Sequence, residues 1–347
     1  MMSQSKKNIY SQEKKYCLQN LHNRDKKDLP KFSYGEEFFI EKTSNPEKTL
    51  LEFSKSWMDN PWKYLDLKNF KLPKISYENN IISFPSILNG KEDKAVFCLS
   101  FPPKIRTNKE ISAIIVPHWN AVKSKCLLGT NLVRGLFLPI STAIYFPEHG
   151  KLTMDKTRTQ YEIIGPNIGL TLFRFWQDIL NLKYLSFYLK NNLKFKKIGY
   201  WSFSLGSPRA MVASLFPEVP IDFLMMHFLA DSFTESLMKG LGTQEIAEVI
   251  KPNIDYHKLE EIWRPLDPGS YIKHMNKLPK NTRLVQGKYD LVFGIENTLR
   301  INQKIKKYLP SVELEEGEFG HLGIIKFNKN IPIMIRDSKF MKKILEI

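Results

Sequence analysis

The chain of 347 residues has no long apolar run. A membrane-spanning helix needs about 18 or more uninterrupted apolar residues. Arg134 interrupts one of the two longest apolar stretches, and Asp222 and His227 interrupt the other. Residues 1–15 contain no apolar signal core, which leaves the cytoplasm as the expected location.

Cysteine is also scarce, with three residues in the whole chain. Cys17, Cys98 and Cys126 show neither the spacing of a disulfide framework nor that of a metal site. We therefore expect reduced thiols. No clustered pattern of cysteine, histidine and aspartate indicates a bound metal, and we expect no cofactor.

Acidic residues are outnumbered, with 36 Asp and Glu against 52 Lys and Arg, a formal net charge of +16. A basic surface attracts phosphate groups on nucleic acids or anionic lipids. The lysines occur in scattered pairs such as Lys6-Lys7 and Lys196-Lys197, without the clustered aromatics that nucleic-acid binding requires. Nucleic acid is therefore not expected as a partner, while peripheral contact with an anionic membrane stays open.

From residue 111 onward, apolar runs typical of strands alternate with segments of helical periodicity. This alternation predicts an α/β fold with a mostly parallel sheet and helices on both faces. The predicted strands are 111–116, 141–146, 197–203, 221–229, 282–287 and 311–316. The predicted helices are 121–136, 167–190, 206–216 and 294–308.

The segments before this core have a different pattern. Residues 1–35 are polar and rich in lysine, which predicts a poorly ordered basic segment. Residues 36–347 then form one domain, in which 75–84 and 95–101 predict an antiparallel hairpin. Residues 230–277 lack a strand signal and lie where a small cap insertion would cover a site.

The stretch Ile198–Ala210 is the most informative part of the chain. An apolar run leads to Ser204, and Gly206 follows before a helical segment. This order of strand, serine and helix is typical of a nucleophile elbow, whose tight turn needs small residues two positions on either side of the nucleophile. Ser202 occupies the earlier of these positions, where glycine is usual.

An acid and a base follow the elbow in the order Ser…Asp…His. Asp290 comes just after strand 282–287, and His321 lies between glycines after strand 311–316. In such a triad the histidine accepts the proton of the serine, and the aspartate fixes the imidazole tautomer. Asp231 is an alternative acid one strand earlier, and Glu318 is a weaker one.

An oxyanion hole needs two N–H donors that face the developing negative charge. One candidate donor is the backbone N–H of Leu205, directly after the serine. The other is expected from the loop after strand 111–116, from Trp119 or Asn120. His118 precedes the elbow and is interpreted as a residue that shapes this loop.

Three motifs together resemble the α/β-hydrolases, and more narrowly the branch of α/β-hydrolase domain-containing protein 18. They are Pro117-His118-Trp119-Asn120-Ala121, Gly165–Thr171 at the start of a long helix, and Ser204-Leu205-Gly206-Ser207. The likeness spans roughly residues 110–325. It implies a parallel-sheet hydrolase core with Ser204, Asp290 and His321 as its triad.

The resulting functional hypothesis is a serine hydrolase that cleaves an ester or thioester of a small molecule or lipid. Two alternatives stay open. An acyltransferase would use the same triad if an alcohol or thiol outcompeted water. A binding or scaffold protein would retain the fold without catalysis, which Ser202 at the usual glycine position allows.

Overall fold

The computed structural model describes residues 4–22, 29–39, 44–88, 94–100, 111–116, 141–147, 160–323 and 327–346. In this part of the chain, nine strands form one sheet in the order β1-β2-β3-β5-β4-β6-β7-β8-β9. The strands are β1 Ser76–Glu78, β2 Ile81–Pro85, β3 Lys94–Ser100, β4 Ile111–Val116, β5 Ser141–Pro147, β6 Lys197–Phe203, β7 Phe223–His227, β8 Asn281–Gly287 and β9 Glu313–Gly317.

The α-helices of the described residues connect or flank these strands. They are α1 Gln4–His22, α2 Pro46–Asp59, α3 Pro61–Leu65, α4 Ile168–Asn191, α5 Gly206–Leu215, α6 Phe233–Lys239, α7 Gln244–Ile250, α8 Tyr256–Trp263, α9 Ile295–Tyr308 and α10 Phe327–Glu346. Short 3₁₀ segments lie at Glu36–Phe38, Leu67–Asn69, Gln160–Glu162, Arg264–Leu266 and Pro268–Lys277. None of these helices is long and apolar enough to cross a membrane.

The sheet is parallel from β5 through β4, β6, β7 and β8 to β9. Strands β1, β2 and β3 extend it as an antiparallel ribbon, and β3 joins β5 in antiparallel pairing. The predicted α/β class with a mostly parallel sheet is therefore confirmed. All six core strands lie within two residues of their predicted bounds.

Helices cover both faces of the sheet. Successive side chains of a strand point to opposite faces of the sheet, and paired residues on neighbouring strands point to the same face. On one face the Tyr200 hydroxyl lies 2.7 Å from Ser186 of α4. On the other face His227 of β7 lies 2.9 Å from Asp337 of α10, which also accepts a hydrogen bond from Arg283 of β8.

The core lies mainly between the first of these faces and the helices that cover it. Its largest cluster joins buried strand residues to α4, α5 and α9 and also includes side chains of α6, α7 and α8. A smaller cluster on the opposite face consists of Phe228, Val285, Phe319 and Ile333. This second cluster lies beneath the loops that carry the candidate site.

The predicted N-terminal hairpin differs from the observed one in its first strand. Residues 75–84 do not form one strand, because the chain reverses at Asn79 and Asn80. Both asparagines have positive φ, 50° and 63°, as the central residues of a type I′ turn require. The second half of that segment, β2, then pairs with β3 as predicted.

Part of the amino-terminal segment is helical in the structure. Residues 4–22 form α1, although they carry no regular apolar stripe. Two side chains, Glu13 and Cys17, are nonetheless fully buried. The burial of these two side chains does not follow from an apolar periodicity.

Candidate active site

Ser204 occupies a sharp turn between β6, which ends at Phe203, and α5, which begins at Gly206. Its φ is 54°, in the left-handed region that non-glycine residues avoid. Hydrogen bonds fix the turn: the Ser204 N–H donates to the His227 carbonyl at 2.7 Å, and the Ser207 N–H donates to the Ser204 carbonyl at 2.8 Å. The end of β7 thus holds Ser204 in a strained conformation that is characteristic of functional sites.

Ser202, at the position where glycine is usual, fits the turn through its own hydrogen bonds. It is fully buried. Its hydroxyl donates to the Met225 carbonyl of the neighbouring strand at 3.0 Å and lies 3.4 Å from the Ser207 hydroxyl. A buried hydroxyl is costly only when it is unpaired. The departure from glycine is therefore compatible with the elbow.

Asp290 lies three residues beyond the end of β8 and is fully buried. Its Oδ1 accepts hydrogen bonds from the backbone N–H groups of Val292 at 2.9 Å and Phe293 at 2.8 Å. These two bonds fix the orientation of the carboxylate. The second oxygen, Oδ2, is thereby directed at His321.

His321 connects the other two residues. Its Nδ1 lies 2.9 Å from Asp290 Oδ2, and its Nε2 lies 2.7 Å from Ser204 Oγ. With the proton on Nδ1, the ring donates to Asp290 and accepts from the serine hydroxyl. This is the tautomer in which a histidine can act as a general base towards serine. The structure thus brings together the three residues proposed from the sequence.

Two aromatic rings confine the imidazole of His321. Phe228 stacks on it with ring centroids 4.2 Å apart and planes inclined by 25°. Phe293 meets it edge-on, with centroids 4.8 Å apart and planes at 78°. Together with the hydrogen bonds at both nitrogens, these contacts leave the ring little rotational freedom.

The alternative acids are engaged elsewhere. Asp231 accepts from the Lys304 ammonium at 2.7 and 2.8 Å and pairs with Arg300. Glu318 pairs with Lys288 at 2.9 Å and accepts from the Tyr289 hydroxyl at 2.8 Å. Lys288 and the Tyr289 hydroxyl lower the pKa of Glu318. Among the described residues, Asp290 is the carboxylate that contacts the His321 ring.

The predicted oxyanion hole is described in part. Leu205 is buried and immediately precedes α5, so its backbone N–H lies at the start of that helix. Helix amino termini favour negative charge. Trp119 and Asn120, the other predicted donors, and His118 lie outside the described residues. Their role stays a prediction.

Sequence reasoning missed three residues that surround His321. Phe228 and Phe293 contact its ring, and Glu13 accepts hydrogen bonds from the backbone of the same loop. Phe293 follows Asp290 closely and could have been found as a neighbour of the acid. The sequence carries no local signal for Glu13, which is more than 300 residues away from its partners.

Comparison with known proteins gives structural neighbours only. No family model and no curated protein matches the chain. A lipase in its open form superposes with a TM-score of 0.53 and 10% identity, over 80% of this chain and 99% of the lipase. Carboxyl esterase 2 from the fungus Tuber melanosporum gives 0.51 and 15% identity, over 84% of this chain and 97% of the esterase. A highly thermostable carboxyl esterase from Bacillus coagulans superposes with a TM-score of 0.51 and 11% identity, over 79% of this chain and 98% of the esterase.

The chain has the α/β-hydrolase fold. The superpositions span nearly the full length of each of these three neighbours and about four-fifths of this chain. Identities of 10–15% establish the fold and leave the activity to the site itself. Chemically, the site combines a hydroxyl, a neighbouring base and a buried acid that orients the base.

Proposed function

We propose that the protein is a serine hydrolase that cleaves carboxylic esters or thioesters of small molecules or lipids. The observation that carries this proposal is the continuous series of hydrogen bonds Ser204–His321–Asp290, with Ser204 in a left-handed turn between strand and helix. Nucleophile, base and orienting acid within hydrogen-bond reach are the signature of an activated serine.

In the first half of the reaction Ser204 Oγ attacks the acyl carbon, and its proton passes to His321 Nε2. Asp290 stabilises the resulting imidazolium without taking the proton. The negative charge on the former carbonyl oxygen is stabilised by the Leu205 N–H, with Trp119 or Asn120 as the predicted second donor. The intermediate then expels the alcohol or thiol, which receives the proton from His321, and leaves an acyl-serine.

Water completes the cycle in the second half. His321 accepts a proton from the water as the water oxygen attacks the acyl carbon of the acyl-serine. Collapse of the second tetrahedral intermediate breaks the bond to Ser204 Oγ, which regains its proton from His321. The products are a carboxylic acid and the restored enzyme.

The structural neighbours support an ester substrate over other acyl compounds. The neighbours with the fold include proteins named lipase and carboxyl esterase. The motifs around residues 117–121, 165–171 and 204–207 support the narrower resemblance to the α/β-hydrolase domain-containing protein 18 branch. Hydrolysis and acyl transfer share every step up to the acyl-serine, so product analysis with and without an added alcohol separates them.

The test is labelling of the full chain with a fluorophosphonate, whose phosphorus mimics the acyl carbon and reacts with activated serines. Wild type is compared with Ser204→Ala and His321→Ala, and Ser311→Ala serves as the control because Ser311 is an exposed serine. We expect labelling of wild type and Ser311→Ala, and none of the two site variants. Hydrolysis of esters with short and long acyl chains then defines the substrate class.

Failure to label a folded wild-type protein contradicts the proposal. The binding or scaffold function would then take its place. Labelling that persists in Ser204→Ala also contradicts it, because the reactive nucleophile would lie elsewhere.

A further inference from the structure

Glu13 is a buried acid on an otherwise exposed stretch of helix. Residues 11, 12, 14 and 15 of α1 are all exposed, whereas the Glu13 side chain is 1% exposed. Glutamate is almost never fully buried without partners. Its burial therefore implies polar partners within the fold.

The partners of Glu13 belong to the loop of His321. The Leu322 N–H donates to Glu13 Oε1 at 2.8 Å, and the Gly323 N–H donates to Oε2 at 2.9 Å. The two carboxylate oxygens thus hold the two consecutive peptide N–H groups that follow the histidine. Hydrogen bonds to an ionised carboxylate are stronger than those between neutral groups.

The residue before the histidine also fits against Glu13. A Cβ added to Gly320 would lie 2.1 Å from Glu13 Cδ and 2.3 Å from its Cγ. Any larger residue at position 320 would therefore displace the glutamate or the loop. The carboxylate contacts the loop on both sides of His321.

This arrangement has a free-energy cost that a purely structural contact would avoid. Burial is the main influence on Glu13 and raises the pKa of its carboxyl, while the Leu322 N–H and the charge of His321 oppose this. An apolar side chain could fill the same space without burying a charge. A carboxylate, unlike an apolar side chain, can accept hydrogen bonds from both N–H groups.

We infer that Glu13 is a positioning residue for His321, which it acts on through the loop backbone rather than by contact with substrate. The carboxylate fixes the 320–323 backbone so that Nε2 faces Ser204 Oγ and Nδ1 faces Asp290. The active arrangement is then incomplete without α1. This inference rests on the proposed function, since it assigns a role within the same triad.

The test combines kinetics with a measurement that needs no activity. Full-length Glu13→Ala, Glu13→Asp and the control Gln12→Ala are compared, because Gln12 is the exposed neighbour on the same helix. We expect Glu13→Ala to lower kcat by about 10- to 100-fold, as displacement of a catalytic group by about 1 Å does, with KM changed less than about twofold. Glu13→Asp should restore part of kcat, and Gln12→Ala should match wild type.

A double-mutant cycle with Gly320 tests the contact directly. Gly320→Ala alone should lower kcat by pushing against Glu13. In the Glu13→Ala background the vacated space should accept the new methyl group. Adding Gly320→Ala should then lower kcat little further. Additive effects of the two substitutions contradict the inference, because residues in contact couple and independent ones add.

Proton NMR of the His321 Nδ1–H separates failure of this inference from failure of the proposed function. The resonance is assigned by its loss in His321→Ala. If wild type is active but Glu13→Ala retains full kcat, the inference is overturned and the hydrolase proposal stands. If wild type is inactive, the resonance decides: its loss in Glu13→Ala supports positioning, and an unchanged signal overturns it.

Discussion

Phe228 combines a strained backbone with a buried ring, and substitution can separate the two. Its φ is 65°, and its side chain is 3% exposed and stacked on His321. Removing a buried phenylalanine ring costs roughly 3–5 kcal/mol of unfolding free energy. The left-handed conformation costs a residue with a Cβ about 1–2 kcal/mol, and glycine escapes this cost.

The comparison of alanine with glycine at position 228 isolates the strain. Both Phe228→Ala and Phe228→Gly lose the ring, but only alanine keeps the strain. In an extended strand, a glycine variant is less stable to unfolding than the alanine variant by roughly 0.5–1 kcal/mol, because glycine loses more backbone entropy on folding. At position 228 the relief of strain outweighs this loss, so we expect Phe228→Gly to be the more stable variant by up to about 1.5 kcal/mol.

Phe223 provides the matched control, because it is a fully buried phenylalanine on β7 with ordinary extended geometry. There the alanine variant should be the more stable one. Urea unfolding of the four variants measures the free energies, and the two alanine–glycine differences should have opposite signs. The reasoning is refuted if Phe228→Ala is at least as stable as Phe228→Gly. Both Phe228 variants should also react more slowly with the fluorophosphonate, since His321 loses its stacked neighbour.

Two further predictions concern carboxylates. Asp290→Asn should lower kcat for ester hydrolysis by about 10⁴-fold because the imidazole loses its orienting acid. Asp231→Asn should stay within about threefold of wild type because Asp231 pairs with Lys304 and Arg300; equal losses in the two variants would contradict the choice of Asp290. Burial raises the pKa of the Asp267 carboxyl well above its ordinary 3.8. The stability that the protonated form provides is therefore present below pH 3.8 and is lost as pH rises through the folded-state pKa. The free energy of unfolding of wild type should therefore fall relative to Asp267→Asn as pH rises, and a pH-independent difference in urea unfolding would show that the burial effect is absent.

Much of the core could be predicted because its signals are local. The run Ile198–Phe203 is mostly apolar, and β6 has the predicted bounds 197–203. Helix α4 begins within one residue of its predicted start. Hydrophobic periodicity reflects the burial of each segment separately, so a single sequence reveals it. The first hairpin departed from prediction at Asn79 and Asn80, where two left-handed residues allow a turn inside an apolar stretch.

The candidate triad could be proposed because parallel strands end at the same edge of the sheet. Ser204, Asp290 and His321 each follow a strand, in the order that an α/β-hydrolase requires. Order and strand ends did not separate Asp290 from Asp231, since both follow core strands. Packing decided between them, because Lys304 and Arg300 engage Asp231 while the backbone of Val292 and Phe293 aims Asp290 at the imidazole.

The sequence by itself therefore determined the strand and helix pattern and the residue types that could form the site. Tertiary structure decided which acid meets His321, which aromatic ring stacks on it, and that Glu13 holds its loop from 309 residues away. The physical reason is that only interactions within one strand or helix leave a repeating pattern in the sequence. Burial on a strand or helix repeats along the chain, whereas a hydrogen bond between distant segments depends on where the whole fold brings them.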